Sequence, residues 1–99
     1  MIAKTNRFVL DPTKAPGIVA DFVANGAGMA DQPGCAGWYL LAPDDPNGPH
    51  MVVSLWESEE LYQQWVGSDH FRKSHANIAD VQAALIAPAQ VESFTVAAN

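Results

Sequence analysis

Leu55-Trp56-Glu57-Ser58-Glu59-Glu60-Leu61-Tyr62-Gln63-Gln64-Trp65-Val66-Gly67-Ser68-Asp69-His70-Phe71-Arg72-Lys73-Ser74-His75 is the stretch in which the pattern of this chain passes from strand to helix. Ser58 ahead of Glu59 and Glu60 has the form of a helix N-cap with acids in the first turn, where they meet the positive end of the helix dipole. Leu61, Tyr62, Trp65 and Val66 supply an apolar stripe at helical spacing, and Gly67 closes it. Ser68-Asp69 caps a second helical piece, in which Phe71, His75 and Ile78 fall at i, i+4 and i+7 on one face. By that count His75 faces inward.

Upstream, 51–56 reads as a strand with apolar residues on both faces, joined through the loop Pro43-Asp44-Asp45-Pro46-Asn47-Gly48-Pro49 to a similar strand over 35–41. The two form a hairpin, entered from the turn cluster Asp31-Gln32-Pro33-Gly34. Residues 2–10 alternate Ile2, Lys4, Asn6, Phe8 and Leu10 on one face with Ala3, Thr5, Arg7 and Val9 on the other, and Asp11-Pro12 ends that strand because proline cannot donate to a ladder. A helix follows over 16–29, frayed at its end, since Gly26 and Gly28 each cost about 1 kcal/mol of helix preference relative to alanine. Downstream, a helix over 78–87 is broken by Pro88, and 90–96 alternates as a last strand.

Strand, helix, strand, strand, helix, strand specifies an α+β protein: a ferredoxin-like split β-α-β-β-α-β antiparallel sheet with helices on one face, forming a single domain over 1–99. Large apolar residues on both faces of the hairpin leave the uncovered face in need of a partner, and a face-to-face homodimer is the simplest one.

Of the 99 residues, 48% are hydrophobic and 16% charged, the balance of a packed globular protein. The net charge is −6, and the five basic residues, Lys4, Arg7, Lys14, Arg72 and Lys73, make no run that could follow a phosphate backbone, so nucleic acid is not an expected partner. One cysteine, no long apolar span and no apolar h-region near the start lead to the expectation of a cytoplasmic protein without a membrane segment.

Three residues carry the candidate chemistry, and each has a plain structural reading as well. An inward histidine near a helix C-terminus, such as His75, commonly hydrogen-bonds or complements the dipole, and also suits a metal. Trp65 supplies large buried area wherever it packs. Asn6, on the helix-facing side of its strand between Ile2 and Phe8, must find partners or cost about 1 to 3 kcal/mol, so it is either satisfied by the fold or held for a ligand. Lys4 on the same face reaches a pocket mouth or solvent. Cys35, with no second cysteine at ligand spacing, reads as a small buried strand residue. His50 lies at a loop exit and His70 is about 500° around a helix from His75, so the three histidines do not form a natural metal site. Glu57, Glu59 and Glu60 read as capping charges, and no glycine-rich turn marks a dinucleotide fold.

Together with Pro33-Gly34-Cys35-Ala36-Gly37-Trp38-Tyr39-Leu40-Leu41, the stretch 55–75 resembles the antibiotic biosynthesis monooxygenase superfamily of dimeric α+β barrels, over essentially the whole chain. Within it, Asn6 in Thr5-Asn6-Arg7-Phe8, Trp65 in Gln64-Trp65-Val66 and His75 in Ser74-His75-Ala76 match the Asn, Trp and His of the IsdG-type haem-degrading monooxygenases. The resemblance implies that haem is substrate and cofactor at once, opened oxidatively with release of iron using O₂ and electrons from an external reductase. It further implies that His75 binds the iron through a neutral imidazole, that Asn6 donates a hydrogen bond to a ligand of the iron, and that Trp65 presses the macrocycle out of plane. The surplus of acid is an awkward setting for two propionates. Two alternatives stand beside it: a cofactor-free oxygenase of the same superfamily acting on a quinol or polyketide phenol, and a non-catalytic dimeric barrel that binds a small ligand.

Overall fold

A computed structural model describes residues 1–99. Its elements are β1 (Ile2–Phe8), α1 (Ala15–Asn25), a 3₁₀ turn (Met29–Asp31), β2 (Cys35–Leu41), β3 (His50–Trp56), α2 (Glu59–Val66), α3 (Asp69–Ser74), α4 (Ile78–Ala84) and β4 (Gln90–Thr95). The strands form one antiparallel sheet in the order β2-β3-β1-β4, the ferredoxin-like arrangement expected from the element order.

Register puts Ile2, Lys4, Asn6 and Phe8 of β1 opposite Trp56, Ser54, Val52 and His50 of β3, all on the helix-facing side. At one end of this face Phe8, Leu10, Ile18, Val81 and Ala84 make the buried core, with Phe8 stacked on Phe22 of α1 at 5.5 Å. At the other end Trp56 is fully buried and meets Tyr62 and Trp65 of α2 at 5.6 and 5.2 Å. Asn6 and Lys4 fall in the gap between the two clusters.

Several boundaries differ from the expected ones. β1 stops at Phe8, and Leu10 pairs instead through an isolated bridge with Leu85. That bridge, with the Ile86 N–H donating to the Val9 carbonyl at 3.0 Å, also draws the chain out of α4 at Ala84, three residues short of the expected end. The helix expected over 16–29 ends at Asn25. Gly26 lies so close to Trp38 that an added Cβ would stand 2.8 Å from the ring, and Gly28 turns the backbone at φ 81°. His50 is the first residue of β3 and is buried. β2 is covered on one side only: Tyr39 (56% exposed) and Leu41 (48%) face away from the helices, as does Phe94 of β4.

His50 stacks on Phe8 at 5.9 Å and has a buried Nδ1 with no partner; burial pushes its pKa below the usual histidine value. The unfolded chain therefore binds a proton, below about pH 6.5, that the folded chain refuses, so stability falls as pH drops through that value. For one proton the slope cannot exceed about 1.4 kcal/mol per pH unit. His50→Phe, which keeps the stacking, should flatten the dependence of Tm on pH between 5 and 7; an unchanged acid limb would assign the loss to other groups.

Candidate active site

A cavity of about 230 Å³ opens between the helices and the sheet, and Asn6, Trp65 and His75 all line it. Its floor is β1 and β3, and Phe22, Met29 and Trp38 form one wall. Residues placed 69 positions apart are brought together because β1 is an interior strand beneath the corner between α2 and α3.

Ser68 builds that corner. Its hydroxyl donates to the Trp65 carbonyl at 2.6 Å, closing α2, and accepts the Phe71 N–H at 3.3 Å, opening α3. Ser58 caps α2 in the same way through the Leu61 N–H, and Gly34 (φ 83°) lets Leu61 approach to where a Cβ would lie only 2.6 Å away. The two serine caps read from the sequence thus orient the helices that carry Trp65 and His75.

His75 sits at the C-cap of α3 rather than inside a helix, its ring stacked on Phe71 at 4.0 Å. Its Nδ1 is 2.8 Å from the Phe71 carbonyl, which can only accept, so the proton is assigned to Nδ1 and the Nε2 lone pair is left unshared. A carbonyl behind a ligating imidazole fixes its tautomer and raises its basicity.

The Asn6 carboxamide has its Oδ1 buried without any partner. The fold does not satisfy this oxygen. Lys4 also lines the cavity, its side chain 14% exposed, and is the one formally charged residue in the lining. Its ammonium pairs with Glu59 at 2.7 Å and lies 4.7 Å over the Tyr62 ring. The Lys4 contact, followed by the Gln63 amide, lowers the Glu59 pKa, so Glu59 is a partner of the cavity cation as well as a first-turn acid.

His70 is the residue the sequence reading left without a role. Trp65 Nε1 donates to its Nδ1 at 3.1 Å, and its Nε2 is 3.0 Å from the Ala27 carbonyl. No local pattern could have revealed this, because Ala27 lies 43 positions away. Cys35 is half-buried, its thiol pKa raised chiefly by burial, with Sγ 3.5 Å from the Gly37 carbonyl.

A sequence profile described as antibiotic biosynthesis monooxygenase matches residues 1–77. The chain belongs to the antibiotic biosynthesis monooxygenase family. Among relatives, it is 35% identical over 91 residues to the haem-degrading monooxygenase of Listeria welshimeri, covering 83% of this chain and 75% of that one. Solved structures of the same fold include Rv0793 from Mycobacterium tuberculosis, at TM-score 0.80 and 19% identity over 99% of this chain and 96% of that one. Another is a point mutant of MhuD with two manganese protoporphyrin IX bound per active site, at TM-score 0.79 and 23% identity over 100% and 97%. In this chain the split sheet with the helices on one face gathers Asn6, Trp65 and His75 around one cavity.

Proposed function

We propose that this chain is a haem-degrading monooxygenase, opening haem oxidatively with release of iron, using O₂ and an external electron donor. The observation that carries the reading is the convergence of an imidazole with an unshared Nε2, an unsatisfied buried carboxamide and an indole on one cavity. The Listeria relative of that activity supports it. Bound haem would supply the redox iron and the ring carbon to be oxidised. His75 would hold the iron through Nε2, backed by the Phe71 carbonyl on Nδ1. Asn6 would donate from its amide toward the iron's open side, and Trp65 would press on the ring. Lys4 supplies the cavity's positive charge for a carboxylate, at the cost of sharing it with Glu59.

The second reading, a metal-free oxygenase of a quinol or phenol, is favoured by the cavity's volume, which lies below the ~300–1,000 Å³ usual for drug-sized ligands. An absorption titration separates the two. A Soret shift on adding haem, followed by bleaching that requires O₂ and reductant, supports haem degradation. Inert haem binding would leave a binding protein, and no specific binding would leave the metal-free reading.

Tyr39, Leu41 and Phe94, exposed on the helix-free face with Val53 and Leu55 beside them, would be buried in a homodimer. Sedimentation across dilution should give a dimer at micromolar concentration; a folded, soluble monomer would refute it. No helix is long and apolar enough to cross a membrane, and a lone half-buried cysteine accords with the cytoplasm.

A further inference from the structure

Trp65 is held by its edge. Its indole meets Phe71 edge-on at 4.9 Å and 84°, and tilts against Trp56, Tyr62 and His75 at 5.2, 6.0 and 6.2 Å. Those contacts are apolar or stacking and leave rotation about the side-chain bonds to be decided by shape alone. The single polar contact of the ring is Nε1 to His70 Nδ1 at 3.1 Å.

An indole N–H can only donate and a carbonyl can only accept. With Trp65 Nε1 on one side of His70 and the Ala27 carbonyl on the other, the imidazole must be neutral, with its proton on Nε2. Both ring nitrogens are then in use. The Ala27 carbonyl is itself presented by the turn after α1, between Gly26 and Gly28, where the positive φ of Gly28 (81°) is the backbone conformation glycine adopts readily. One imidazole therefore ties the end of α1 to α2 from its place on α3, across the wall of the cavity.

We infer that His70 is the positioning residue for Trp65: a neutral, Nε2-protonated imidazole, anchored on the Ala27 carbonyl, that selects the indole orientation presented to the ligand. The inference deepens the haem-degrading reading and rests on it where ligand is concerned; the contact between His70 and Trp65 does not.

Two substitutions divide the ring's two bonds. In His70→Asn the amide oxygen stands about where Nδ1 does, so an acceptor for Trp65 remains while the reach to Ala27 is lost. In His70→Phe the ring volume remains and both bonds go. In the ligand-free, ¹⁵N-labelled protein, the Trp65 indole N–H, assigned by its loss in Trp65→Phe, should exchange with solvent at least about tenfold faster in His70→Phe. In His70→Asn it should stay within about threefold of wild type. An indole signal unchanged in His70→Phe overturns the inference whatever the ligand proves to be.

In the haem-loaded protein, His70→Phe should slow single-turnover ring opening about tenfold at unchanged haem affinity, and His70→Asn should restore most of that rate. Placed in a Trp65→Phe background, His70→Phe should add no further loss, because the partner it positions is gone. A fully additive loss would show that His70 acts by another route and would overturn the inference. If wild-type protein binds but does not degrade haem while the indole exchange behaves as expected, the haem-degrading reading falls and the positioning role stands.

Discussion

On the haem-degrading proposal, His75→Ala should lose the imidazole-ligated haem spectrum and bind haem at least about 100-fold more weakly, while the protein stays folded. The expectation follows from the free Nε2: nothing in the fold uses that lone pair, so removing the ring costs the fold only its stack on Phe71 and its tilted contact with Trp65. The Ser74 hydroxyl, 2.9 Å from the Phe71 carbonyl, remains to satisfy that acceptor in the variant. Added imidazole should restore a ligated spectrum by entering the space left. His50→Phe and His70→Asn serve as controls that keep the wild-type spectrum, since neither residue lines the cavity. Unchanged spectrum and affinity in His75→Ala would make the axial assignment wrong and favour the metal-free oxygenase.

Asn6→Ala separates turnover from both binding and stability. Loss of a donor aimed at developing charge costs about 10² to 10³ in rate, or roughly 3 to 4 kcal/mol of barrier, while haem affinity should move only a few-fold. The ligand-free protein should move the other way. A buried carboxamide oxygen without a partner burdens the fold by about 1 to 3 kcal/mol, so its removal raises Tm or leaves it level, whereas deleting a structural hydrogen bond would lower it. Slower single-turnover degradation with equal or higher thermal stability is the signature of a residue held for a ligand. Full activity in Asn6→Ala would remove the role proposed for the residue that most narrows the reading within the family. Trp65→Phe is the gentler companion, preserving an aromatic against Trp56 and Phe71 while removing the indole bulk proposed to press on the ring.

The passage from strand to helix, the two serine caps and the spacing of Trp65 and His75 could be read from residues 55–75 alone, because a cap, a glycine stop and an apolar stripe are interactions among residues a few positions apart. The alternation of 2–8 likewise determined that Asn6 and Lys4 share a face with Phe8. Tertiary structure decided what each of these groups meets. It cut the first strand and the last helix short through the Leu10–Leu85 bridge, used Gly26 to admit Trp38, and buried His50. It also gave Lys4 a partner in Glu59, left the Asn6 oxygen with none, and set His70 between Trp65 and Ala27. Periodicity encodes the direction of a side chain relative to its own element, whereas a hydrogen-bond partner from another element exists only once packing has fixed the distance between the two.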